Sequence, residues 1–117
     1  MEISPAGANK FLVRGFANRQ KLMNHWKNGR THQKEFPEIQ SIDEYERKAI
    51  ELLEMEVGGD IFGHADGHGN VIRYNQAKNE FAKGNPTTGA KTYMRPTNGI
   101  QYYCEMLKGD MKHGGRR

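Results

Sequence analysis

The sequence has 117 residues, of which 35% are hydrophobic, and a formal net charge of +4 at neutral pH. That length and a mean hydropathy of −0.92 fit one domain with a small core and predict a soluble chain. No apolar run approaches the ~20 residues of a membrane-spanning helix, no signal-peptide pattern opens the chain, and a single cysteine, Cys104, excludes an internal disulfide and a thiolate zinc cluster.

In chain order, residues 1–15 read as an arm with at most one short strand, because Pro5, Gly7 and Gly15 surround a brief apolar run at Phe11, Leu12 and Val13. Asn18 is placed to cap a helix over about 19–27, in which Leu22, Met23 and Trp26 recur at helical spacing and His25 falls at the edge of the buried stripe. Asn28-Gly29 stops it. A second helix begins with a capping box, Ser41 and Glu44, and carries Asp43 and Glu44 where the helix dipole favours acids. Ile42, Tyr45, Ala49, Leu52 and Leu53 mark its buried face, and Gly58-Gly59 supplies the expected stop.

Short β-favouring runs follow at about 60–64, 70–74, 79–83 and 90–95, separated by turns rich in Gly, Asn, Asp and Pro; Pro96 ends the last. A final helix over about 99–107 puts Ile100, Tyr103 and Leu107 on one face, and Cys104 is expected as a buried small hydrophobe. The boundaries are therefore an arm at 1–15, a domain at 16–108 and a frayed basic tail at 109–117. The element order predicts an α+β domain with its helices on one face of a short-stranded antiparallel sheet, the other face being free to bind.

Charge is unevenly distributed. Residues 35–66 hold ten acids against Arg47 and Lys48, whereas the rest of the chain holds four acids and sixteen bases. If the blocks map onto surfaces, one face attracts a polyanion such as nucleic acid; a solvated, silent surface is the plainer alternative.

The densest functional signal is residues 25–36, where His25 and His32 lie among Lys27, Arg30 and Lys34 with Trp26 and Phe36. Histidine titrates near neutrality, so the pair suits a base and an acid acting on a phosphate ester, although a half-buried histidine is as often structural. His64 and His68, with Asp66 between them, raise a metal reading, but no further ligand stands at a convincing spacing and incidental turn histidines are the simpler expectation. Walker, nucleophile-elbow and zinc-deaminase patterns are missing. On the strands, Arg73, Lys83, Thr92 and Arg95 supply cations and a hydroxyl. Alternation sets Arg73 opposite Ile72 and Tyr74, and Thr92 opposite Tyr93, which predicts separate polar and aromatic sides. A metal-free ribonuclease needs little more, since the RNA 2′-hydroxyl is the nucleophile and the protein supplies base, acid and fixed donors; each cation could equally be a plain phosphate anchor.

Over roughly residues 20–104, the order of His25-Trp26-Lys27, His32-Gln33-Lys34-Glu35-Phe36-Pro37-Glu38, Gly69-Asn70-Val71-Ile72-Arg73-Tyr74, Asn79-Glu80-Phe81-Ala82 and Lys91-Thr92-Tyr93-Met94-Arg95-Pro96 resembles the C-terminal toxin domains of contact-dependent growth inhibition proteins (CdiA) and colicin-like ribonucleases. The resemblance implies the barnase/EndoU/colicin/RelE fold and cleavage of RNA, commonly transfer RNA, with no metal or other cofactor. It assigns catalysis to His25, His32, Arg73 and Thr92 and phosphate binding to Lys27, Lys83, Tyr93 and Arg95. It also implies a cognate immunity protein, acidic where it meets the site, a translation factor as a further candidate partner, and delivery into a target cell's cytoplasm from a secreted or surface protein without membrane insertion by this domain. The interruption at 28–31 departs from the family's closer histidine spacing. Two other classes stay open: a non-catalytic RNA-binding module, and a metal-dependent nuclease built on His64 and His68.

Overall fold

A computed structural model of the protein describes residues 10–28 and 36–115, with the side chains of 24–28 outside that description. The strongest local signal is realised at Ser41, whose hydroxyl accepts the Glu44 N–H at 3.1 Å and starts α2 (Ile42–Leu53). Glu44 turns back onto the Gln40 N–H at 3.2 Å, one residue earlier than a standard capping box. Tyr45, Ala49, Leu52 and Leu53 are buried as expected, and Ile50 and Glu46 join them. The helix stops well before Gly58-Gly59. Glu54 leaves it to receive the Phe11 N–H at 2.7 Å and the Arg14 guanidinium, so a tertiary contact ends the helix ahead of the glycines.

Ahead of α2 lies α1 (Arg19–Asn28), capped by Asn18, whose side chain accepts the Lys21 N–H at 3.0 Å. After it come β1 (Ile61–Ala65), β2 (Val71–Asn75), β3 (Glu80–Asn85) and β4 (Gly89–Met94), a four-stranded antiparallel meander in sequence order, each strand within two residues of its expected bounds. The α+β class is therefore observed.

The expectation of a bare sheet face is overturned. Register aligns Gly63, Arg73, Ala82 and Tyr93 on one face, and Phe62, Tyr74, Phe81 and Met94 on the other. The first face packs against α2 and buries Tyr45, Ile50, Leu53, Phe36 and Phe11. The second is covered by α3 (Ile100–Lys112), which lays Tyr103, Tyr102, Met106 and Leu107 over Ile72, Tyr74 and Phe81. Leaving that row in water would expose a large apolar patch, and burying each such side chain contributes about 1.5–3 kcal/mol. Helix α3 also runs five residues beyond the expected Leu107, into the segment read as a frayed tail, because Asp110 reaches back to His64 on β1. Cys104 faces outward on α3 and is exposed, not buried. Among the described residues, no helix is long and apolar enough to cross a membrane.

Gly63, in the middle of β1, has a specific cause. Its cross-strand neighbour Arg73 lies over it, and a Cβ there would meet Arg73 Nη1 at 2.5 Å, Arg73 Cδ at 2.8 Å and Val57 Cγ2 at 2.8 Å. Gly63→Ala is expected to lower unfolding stability by about 1–3 kcal/mol, the usual range for overpacking, measured by urea titration. A wild-type midpoint would disprove the close packing of Arg73 over β1.

Candidate functional site

The outer edge of β4 receives the N-terminal arm before α1 begins. Ala17 N–H donates to Ala90 O at 2.8 Å and Ala90 N–H donates to Gly15 O at 2.9 Å, a parallel bridge centred on Phe16. Gly89, at φ +112°, makes room for this approach, since a Cβ there would collide with Gly15 O. Glu46 fixes the same place from α2: its carboxylate accepts the Phe16 N–H at 3.0 Å and faces Arg19 at 3.3 Å. The chain then turns into α1 and diverges from β4. Between them lies a cleft of about 480 Å³, lined by Phe16, Asn18 and Lys21 on one side and Lys91, Thr92 and Tyr93 on the other.

Its chemistry is mixed. Lys21 and Lys91 are exposed and have no carboxylate partner among the described residues. Phe16 is half-buried and stacks on Tyr45, ring centroids 5.6 Å apart at 23°. Lys91 owes its position to a β-bulge: Thr92 pairs with Lys83 and Ala90 with Gly84, which leaves Lys91 unmatched. The bulge also lets Ala90 and Tyr93 share the α2 face, which strict alternation would forbid.

Of the residues singled out in the sequence, Thr92 and Tyr93 line the cleft. Tyr93 is only 1% exposed, and burial, reinforced by Glu80, pushes its phenol far above the usual range. His25 and Lys27 belong to α1, His25 one helical turn after Lys21, but their side chains and the whole of His32 lie outside the described residues. Arg73 is elsewhere. It sits on the α2 face while Thr92 pairs with Lys83 on the α3 face, so these two expected partners stand on opposite sides of the sheet. Arg73 is 1% exposed and donates to Met55 O at 2.9 Å and Ile72 O at 2.8 Å; its Nη2 has no hydrogen-bond partner among the described residues, and burial lowers its pKa. The expected separation into polar and aromatic sides fails with it.

Arg95 is held by Glu38 (Nη1 to Oε1 3.2 Å) and Glu80 (3.3 Å) and lies 4.4 Å over the Phe36 ring. The Glu38 hydrogen bond, ahead of the cost of burial, raises its pKa. Lys83 Nζ stands 3.5 Å from Asp66. Sequence reading missed Phe16, Lys21 and Lys91. Lys21 could have been found from its helical spacing to His25; the other two depend on strand pairing that no local pattern announces.

The histidines expected as incidental turn residues divide. His64 lies within β1, buried, with Nδ1 3.0 Å from the Tyr103 hydroxyl and Nε2 2.7 Å from Asp110 Oδ2, and so fastens α3 to the sheet. His68 is in the turn and exposed. Among the described residues, no three His, Cys, Asp or Glu side chains converge as a metal-sized group. No model of a known family matches the chain, and no curated protein is significantly similar to it.

Asp66 organises the β1–β2 turn, accepting the His68 N–H at 2.8 Å, the Asn70 N–H at 2.9 Å and Asn70 Nδ2 at 2.8 Å. Burial works to raise its pKa, but these donors and Lys83 outweigh that and pull it down to about 2. A carboxylate depressed on folding stabilises the fold above its unfolded pKa of about 3.9 and loses that contribution as pH falls towards 2. Asp66→Ala should therefore cost about 2 kcal/mol at neutral pH, and the gap from wild type should close between pH 4 and pH 2 in denaturant titrations. A gap independent of pH would rule out the carboxylate as its source.

Proposed function

We propose that the chain is a metal-independent ribonuclease of the growth-inhibition toxin kind, with transfer RNA as its substrate, and that the cleft between α1 and β4 is where it holds the RNA. The observation that carries this reading is the pairing of Lys21 and Lys91, without a carboxylate partner among the described residues, with Thr92 and aromatic side chains, beside the helix that bears His25. Cations over an aromatic surface suit a phosphate backbone and its bases.

In this reading His25 takes the proton from the RNA 2′-hydroxyl, whose oxygen attacks the adjacent phosphorus. His32 protonates the departing 5′-oxygen, and a 2′,3′-cyclic phosphate remains. Lys21 and Lys91 offset the charge that builds on the phosphorane, and Thr92 orients it. The immunity protein fits as an acidic surface laid over the same lysines, since the acids of α2 are occupied within the chain.

A non-catalytic RNA-binding module is favoured by one finding: Arg73, expected in catalysis, and Arg95, expected in phosphate binding, are engaged elsewhere. The product separates the two readings. Incubation with transfer RNA in EDTA is expected to yield cyclic-phosphate ends, and His25→Ala to lower the rate by roughly 10²–10⁴-fold. Lys21→Ala with Lys91→Ala should weaken binding and flatten the salt dependence by about two charges, whereas Arg73→Lys should leave binding unchanged. Cleavage indifferent to His25, or binding without cyclic phosphate, would reject the enzyme.

A further inference from the structure

We propose that the ring of Phe16 is the stacking platform for one unpaired base, with the flanking phosphates on Lys21 and Lys91, so that the cleft selects single-stranded over duplex RNA. This rests on the RNA-binding reading of the same cleft and adds a specificity residue to it.

Phe16 is half-buried and lines the cleft, while its stacking on Tyr45 at 5.6 Å and 23° occupies part of its π surface. Its backbone is held from two sides, by the Glu46 carboxylate on its N–H and by the bridge to Ala90. The ring is thereby preorganised, and a base that settles on it does not have to order it first. Lys21 belongs to α1 and Lys91 to β4, so each of the two elements that line the cleft with Phe16 offers a cation to a strand bound there. A volume of about 480 Å³ is in the range of small-ligand sites. Duplex RNA keeps its bases stacked inside the helix and offers mainly sugar and phosphate, which two lysines bind but Phe16 does not reach.

Binding can be read without cleavage by using fluorescently labelled 2′-O-methyl RNA, which lacks the attacking hydroxyl, in EDTA and at fixed salt. A single-stranded 12-mer is expected to bind the wild-type chain at least about tenfold more tightly than the same sequence in a duplex. Phe16→Leu keeps an apolar side chain against Tyr45 but removes the aromatic face. It should lose roughly tenfold in single-strand affinity and nothing in duplex affinity, and Phe16→Trp should retain both. Thermal unfolding of each variant checks that the arm stays in place. Equal single-strand and duplex affinity, or wild-type binding by a folded Phe16→Leu variant, overturns the stacking platform and leaves the ribonuclease reading standing. Failure of the wild-type chain to bind any RNA overturns both.

Discussion

Carboxylates on α2 and at its C-terminal cap decide where the rest of the N-terminal chain goes. Glu46 is 7% exposed and divides its oxygens between the Phe16 N–H and Arg19, while Glu54 takes the Phe11 N–H and Arg14. Burial would raise the Glu54 pKa, but Arg14 and the Phe11 N–H overcome it and hold the group charged. Each acid thus satisfies a backbone donor and a guanidinium together, a stronger arrangement than an isolated surface pair. Because the arm is pinned at Phe11 and again at Phe16, α1 must start beside the edge of β4, and the cleft follows from that start.

The same pairs dissolve the charge pattern of the sequence. A strongly acidic stretch set between basic flanks suggests two opposed surfaces, yet Arg14 and Arg19 from one flank and Arg95 from the other fold onto Glu54, Asp43, Glu46 and Glu38. Among the described residues, Lys21 and Lys91 are what remains uncommitted in the cleft. A polyanion reading is therefore better grounded in two particular lysines than in net charge.

Two polar clusters lock the sheet from its other side. His64 holds Tyr103 near the start of α3 and Asp110 near its end, where a purely apolar contact would leave the register of the helix free to slide. Asp66 holds the neighbouring turn. On the α2 face, Arg73, tucked over Gly63, carries its charge without a carboxylate partner among the described residues. A buried guanidinium in that state is costly, and its hydrogen bond to Met55 O ties the segment just after α2 to β2.

What the sequence determined by itself was local. The Ser41 and Asn18 caps, the buried stripe of α2 and the four strands with their turns depend on interactions within a few residues, and they stand close to where they were expected. It also singled out Thr92, as a hydroxyl among the cations of the strands, and Thr92 lines the cleft. Tertiary structure alone decided the faces. The register that aligns Arg73 with Ala82 and Tyr93 puts Thr92 on the opposite side, and the bulge at Lys91 then resets alternation for Ala90, so neither could be counted out along the chain. The covering of the second face by α3 and the early end of α2 at Glu54 depend on His64 and Phe11, residues 46 and 43 positions from their partners. Long-range pairings of this kind leave no periodic trace, and they are what turned the arm, α1 and β4 into a cleft.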